Sequence, residues 1–382
     1  MSWTLDPEVD FLNHGSFGAA PVPVLEAQAE IRKQMEAEPV RFMQREREAL
    51  LDSATERLAD FLGCSAADLG LVANATTGVN AVLRSLTFEP GDELLITDHA
   101  YNACRNALDY VAARWGASVV VAEVPFPLSG PHDVVTAILE RVTPRTRLAL
   151  LDHVTSPTAL VLPLAQIVAE LAARGIDSLV DGAHAPGMVS LDLDSIGAAY
   201  YAGNCHKWMC APKGAGFLHV RTDRQAEIVP VVVSHRAKSP RTDKNRFRLL
   251  FDWVGTTDPS AALAVPAAID FMGGVHAGGW DGLMAANHDL ALSARDELVK
   301  ALNIQPPAPD DMLGSMAALP LPDGTGALVT DRDQGELFAA GFEVPIVPWP
   351  HWPQRLLRIS AQSAYNTADQ HHRLGKTLVD LL

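Results

Sequence analysis

Short apolar runs alternate with amphipathic stretches through the first 220 residues, and this alternation restricts the fold more than any other feature of the chain. The runs 70–73, 93–97, 118–122, 147–151, 177–181, 198–202 and 215–220 have strand length and are apolar on both faces. Between them, 77–86, 102–115, 132–141 and 163–174 carry helical spacing. Strands taking turns with helices predict an α/β domain with a mostly parallel sheet covered on both faces. Helical patterns also cover 24–37, 45–62, 258–272, 281–302 and a closing segment from about 367. The segment 221–255, with Arg236, Arg241, Arg246 and Arg248, reads as an irregular basic connector or flap. Gln305-Pro306-Pro307-Ala308-Pro309 marks a break before a smaller α+β unit. The expected division is an N-terminal arm at 1–20, a large domain at 21–272 and a small C-terminal domain at 273–382.

In open α/β sheets the ligand site lies beyond the carboxyl ends of the strands. That rule directs attention to Lys207, which follows one apolar run within Gly203-Asn204-Cys205-His206-Lys207-Trp208, and to Asp181, which ends another. A lysine in apolar surroundings loses its proton easily and becomes a nucleophilic amine. Aspartate at a neighbouring strand end suits the protonated ring nitrogen of pyridoxal phosphate. Alone, each is as well explained as a solvated loop residue. Asn74-Ala75-Thr76-Thr77-Gly78 opens a helix after a strand and suits a phosphate, or serves as an ordinary threonine N-cap. Tyr101 at another strand end can stack on a flat ring or be an ordinary core tyrosine. Asp181-Gly182-Ala183-His184 adds an imidazole three residues after the aspartate. Gly255-Thr256-Thr257-Asp258 is a second turn suited to an oxyanion. Arg358 has the planar fork that binds a carboxylate bidentately, or forms a surface ion pair.

A net charge of −16 disfavours general nucleic-acid binding, and no apolar stretch reaches membrane-spanning length. Four cysteines form neither a metal pattern nor a disulfide framework, and the N-terminus lacks signal-peptide character. A reducing, cytoplasmic compartment is therefore expected, with no metal, nucleic-acid or membrane partner.

Taken in order, these motifs resemble the class V branch of the fold-type-I enzymes that depend on pyridoxal 5'-phosphate, and within it the isopenicillin N epimerase-like proteins. Phe11-Leu12-Asn13-His14-Gly15-Ser16-Phe17-Gly18 and Asp152-His153-Val154-Thr155-Ser156-Pro157-Thr158 add to that likeness. The resemblance implies a homodimer acting at the α-carbon of an amino acid through an external aldimine and a quinonoid. The outcome would be epimerisation or transamination. It implies that Lys207 forms the Schiff base, Asp181 holds the ring nitrogen, His184 and Ser156 contact the ring oxygen, and Tyr101 stacks on the ring. Ala75, Thr76, Asn204 and His206 would surround the phosphate, with Thr256 reaching it from the neighbouring subunit. Arg358 would bind the substrate carboxylate near Asn13 and His14. For epimerisation, Tyr101 or His14 could supply the second acid.

Cysteine desulfurases of this class carry a cysteine just upstream of the segment matching Arg358. Here no cysteine follows Cys210, which disfavours a persulfide-forming desulfurase. Trp349, His351 and Trp352 occupy that loop instead, either shaping an apolar pocket or simply packing. A carbon–sulfur lyase is the alternative enzyme reading, and a cofactor-binding sensor or scaffold is the non-enzymatic one.

Overall fold

A computed structural model describes residues 2–326 and 331–382. Its strands are β1 (Asp10–Phe11), β2 (Leu69–Val72), β3 (Glu93–Thr97), β4 (Ser118–Ala122), β5 (Thr146–Asp152), β6 (Asp177–Gly182), β7 (Tyr200–Asn204), β8 (Gly216–Val220), β9 (Met316–Leu321), β10 (Phe342–Glu343), β11 (Ile346–Pro348) and β12 (Arg355–Ser360). Seven of them form one sheet in the order β2-β8-β7-β6-β5-β3-β4, in which β8 alone runs antiparallel to its neighbours. The chain thus has the expected mostly parallel sheet. Its two faces feed two separate cores. Along β5, Ala149 and Leu151 enter one core while Leu148 and Leu150 enter the other. That period of two, apolar at every position, is why the runs read as strands buried on both sides.

Most elements shift by a residue or two at their ends, and three of the differences have a clear local reason. The helix after β2 begins at Ala75 rather than 77, because Asn74 and not a threonine caps it: Asn74 Oδ1 accepts from Thr77 N at 2.9 Å. The strand expected at 198–202 lies at 200–204, where it pairs with β8 from Tyr200↔Val220 to Asn204↔Gly216. This shift brings the strand end to within three residues of Lys207. The helix expected at 258–272 is two helices, Ser260–Leu263 and Val265–Gly273, divided just before Pro266, which has no N–H to continue the ladder.

The connector at 221–255 is anchored rather than loose. Arg236 and Arg241 reach Glu48, and Lys244 and Arg248 reach Asp52 and Asp252. The smaller unit is an antiparallel sheet, β11-β12-β9, backed by helices Gly279–Leu302 and Ala368–Leu381. Thr367 and Gln370 form a capping box at the start of the last helix. The N-terminal arm is tied to this unit by the parallel pair β1–β10, and Asn13 and His14 follow directly. Among the described residues, no helix is long and apolar enough to cross a membrane.

Candidate active site

The parallel strands β5, β6 and β7 end side by side, with Asp152 opposite Asp181 in register and Gly182 opposite Gly203. Lys207 follows β7, and its Nζ lies 3.0 Å from His184 Nε2. Burial, and then the nearby Arg358 charge, lower the Lys207 pKa to about 7, against an opposing pull from Asp181. A large share of this lysine is therefore neutral amine near pH 7, the form that attacks a carbonyl carbon. His184 is held neutral as well: burial and then the Lys207 charge push its pKa well below the usual imidazole range. Its Nδ1 is buried without a partner among the described residues.

Asp181 is buried and accepts two hydrogen bonds, from Ala183 N at 3.0 Å and from Cys104 Sγ at 3.0 Å. Its neighbour Asp152 has its pKa raised well above the usual carboxylate range by burial and then by the Asp181 charge, which favours its protonated form.

Arg358 projects from β12 and is 4% exposed. It has no carboxylate partner among the described residues. NH1 donates to Ser156 O and Oγ at 2.8 and 3.1 Å, NH2 donates to Ser16 Oγ at 2.9 Å and more weakly to Asn13 Oδ1 at 3.4 Å, and Nε has no partner. Burial lowers its pKa to about 10, yet it remains a cation at neutral pH. The surface ion pair considered from sequence does not form. Ser156 is engaged with Arg358.

At the start of helix Ala75–Ser85 the Ala75 N–H is taken by Asn204 Oδ1 at 2.8 Å. Thr76 N–H makes no hydrogen bond among the described residues, as expected for a first-turn amide. Gly216 of β8 passes so close that an added Cβ would lie 2.9 Å from Asn74 Cα. His206 is partly buried, with Nδ1 3.3 Å from Ala215 O, and burial lowers its pKa to about 4.

His14 is fully buried. Nε2 lies 3.0 Å from Lys207 O, Nδ1 contacts the Tyr365 hydroxyl, and the ring tilts against Trp208 at 4.7 Å. Burial pushes its pKa down to about 3. With both nitrogens engaged and the ring neutral, His14 braces the lysine segment and is not set up as a second acid. Tyr101, immediately before helix Asn102–Trp115, is 45% exposed, so the core-tyrosine reading fails. Two residues earlier, His99 packs on Trp349 at 4.6 Å, and Trp349 packs on Phe126 at 5.3 Å. Trp352 lies against Gly324, and His351 is exposed. Thr256 is exposed on the turn after Gly255.

Sequence reasoning missed Ser16, Cys104 and Asp152. Ser16 lay inside a quoted motif, and Cys104 follows Tyr101 by three residues in a helix, which places it near the same strand end.

Pyridoxal phosphate, implied by the resemblance, needs an amine, an anion for its ring nitrogen, a donor for its ring oxygen and donors for its phosphate. These residues fit it. Lys207 and Asp181 supply the first two, the unpartnered His184 Nδ1 belongs to a ring able to serve the third, and the free Thr76 amide serves the fourth.

The chain belongs to the aminotransferase class-V family: residues 15–330 match the model described as Aminotransferase class-V. It is 37% identical to an isopenicillin N epimerase of Amycolatopsis lactamdurans over 99% of this chain and 96% of that protein. It is 31% identical to an L-cysteine desulfhydrase of Arabidopsis thaliana over 81% of this chain and 70% of that protein. In fold it is similar to a C-DES mutant with glycine covalently linked to its PLP cofactor, at a TM-score of 0.82 and 23% identity, covering 98% of this chain and 97% of that one.

Proposed function

We propose that this chain is a pyridoxal-phosphate enzyme acting at the α-carbon of an amino acid, with epimerisation of the isopenicillin N epimerase kind as its outcome. The observation that carries this reading is the pairing of a near-neutral, half-buried amine, Lys207, with a buried cation that has no anionic partner among the described residues, Arg358. Bound pyridoxal phosphate supplies an aldehyde that condenses with amines and a ring that withdraws the electron pair left at the α-carbon.

The chain's own residues do the rest. Lys207 Nζ would hold the cofactor through its aldehyde and would be released when a substrate amine takes its place. Arg358 then anchors the substrate carboxylate and so fixes which bond at the α-carbon can break. Lys207, now a free amine, takes the α-proton as general base. Asp181 keeps a proton on the ring nitrogen, and His184 donates to the ring oxygen. Thr76, Asn204 and His206 hold the phosphate, with Thr256 of a second copy completing the site in a homodimer. Tyr101 stacks on the ring and is the remaining candidate for the second acid that epimerisation requires. Transamination differs from this outcome only in where the second proton is delivered.

A carbon–sulfur lyase is the second reading. The desulfhydrase relatives favour it, and such a reaction needs no protein thiolate. Burial keeps Cys64, Cys104, Cys205 and Cys210 in the thiol form, with Cys64 and Cys205 pushed up to about 12.

A panel of amino acids incubated in heavy water separates the outcomes. Deuterium at the α-carbon with a shifted enantiomer ratio supports epimerisation. α-Keto acid with an aminated cofactor supports transamination, and sulfide from cysteine supports the lyase. A yellow protein that exchanges no α-proton on any substrate would leave only the sensor reading.

A further inference from the structure

Beneath Lys207 the chain holds a thiol that no step of the proposed reaction uses. Cys104 is the third residue of helix Asn102–Trp115 and is 1% exposed. Its Sγ lies 3.0 Å from Asp181 Oδ2, short for a sulfur donor. Burial, and then the Asp181 charge, raise its pKa far above the usual thiol range, so the S–H is the donor and the carboxylate the acceptor. A thiolate there would face a carboxylate in a site closed to water. Nucleophilic and redox roles therefore do not suit this sulfur.

We propose that Cys104 is a positioning residue for Asp181: its S–H hydrogen bond fixes the carboxylate and moderates how strongly that carboxylate attracts a proton. Two partners share the work. The Ala183 N–H at Oδ1 and the thiol at Oδ2 hold both oxygens, so the carboxylate cannot rotate freely. A thiol is the weakest neutral donor available at this position. A hydroxyl would satisfy Oδ2 more fully and reduce its pull on a proton at the ring nitrogen, while an apolar side chain would leave that pull at full strength. The other groups around Asp181 are Asp152 on β5, Tyr201 on β7 and Lys207 beyond β7. Burial and the Asp181 charge raise the Asp152 pKa, and the Tyr201 hydroxyl is engaged with His153 Nδ1 at 2.8 Å. Among these, the thiol is the side chain recorded in hydrogen-bond contact with the Asp181 carboxylate, so changing it changes that carboxylate most directly.

The inference rests on the assignment of Asp181 to the ring nitrogen, and its test has one arm that needs no cofactor. In the cofactor-free protein, infrared difference spectra between wild type and Cys104→Ala isolate the Cys104 S–H stretch. A hydrogen-bonded thiol absorbs at lowered frequency, and Asp181→Asn should raise it. In the loaded protein, NMR of ring-labelled pyridoxal phosphate follows protonation of the ring nitrogen against pH. Cys104→Ala should favour the protonated ring and Cys104→Ser the unprotonated one, each by about two- to tenfold, the scale of one hydrogen bond. A purely packing role would move both variants in the same direction or neither. An S–H band unchanged by Asp181→Asn, or a ring titration identical in wild type and both Cys104 variants, would overturn the inference. A wild-type protein that binds no pyridoxal phosphate would sink the proposed function instead, and the infrared arm would still decide whether the thiol serves the carboxylate.

Discussion

Arg355 and Arg358 sit three residues apart on one strand, are buried to the same degree, and live in opposite electrostatic worlds. Their odd spacing sends them to opposite faces of β12. Arg355, 5% exposed, is clamped by Asp331 through NH1 at 2.7 Å and by Asp333 through NH2 at 2.6 Å. Burial alone would lower its pKa, but these two carboxylates outweigh that and raise it. Among the described residues, Arg358 meets only neutral oxygens, those of Ser156, Ser16 and Asn13. Burying a cation without a counter-ion costs several kcal/mol. One arginine is neutralised completely and the next has no anion among the described residues, and this contrast supports assigning the second to a substrate carboxylate. The same logic links Arg358 to Lys207, whose amine its charge helps to deprotonate.

The largest expected effect tests the structural member of the pair. Arg355→Met strands Asp331 and Asp333 and should lower stability by roughly 3–5 kcal/mol, read as a fall in Tm, with KM for substrate nearly unchanged. Arg358→Met should behave in the opposite way. Tm should hold or rise, because an uncompensated charge is removed. KM for amino acids should rise about tenfold to a hundredfold, the worth of charge-assisted bonds at roughly 1.5–3 kcal/mol, while amines lacking a carboxylate are spared. Equal losses of Tm in the two variants would break the contrast.

A pH experiment sharpens it. Because the Lys207 pKa lies near 7, capture of an aromatic aldehyde by the cofactor-free protein should rise with pH through about 7 and then level, whereas an ordinary lysine would keep rising toward 10.5. In Arg358→Met the midpoint should move up, since the nearby Arg358 charge helps to hold it down. The sign for stability follows. The folded pKa lies below the unfolded one, so the unfolded chain binds more protons between the two values. Stability from this group is therefore fully present above about 10.5 and is lost as pH falls toward about 7. The smallest effect belongs to Asn204→Ala. It frees the Ala75 N–H and should weaken cofactor binding only a few-fold, about 0.5–1.5 kcal/mol in an equilibrium dialysis measurement.

Much of the scaffold was legible because its signals are local. Strand 118–122 and helix 102–115 lie where periodicity placed them, since the pattern of two against the pattern of 3.6 is written in neighbouring residues. Asp181 and Lys207 stood out because strand ends are where such folds place chemistry. What could not be read was pairing over distance. Arg358 is 202 residues from Ser156 and 342 from Ser16, and nothing in its own segment distinguishes it from Arg355. Likewise the clamp is invisible until Asp331 and Asp333, at the start of helix Arg332–Ala339, meet Arg355 of β12. The raised pKa of Asp152 depends on the register that sets it against Asp181, and the Cys104 contact on a helix that brings its thiol to that strand end.

Cofactor-loaded protein reduced with borohydride and mapped by mass spectrometry tests the central claim most directly. Lys213, an exposed lysine whose pKa is also lowered, is the internal control. A pyridoxyl group on the peptide containing Lys207, at one per chain, with Lys213 unmodified, is the predicted result. A label on Lys213 or scattered over surface lysines, with Lys207 unmodified, would contradict it.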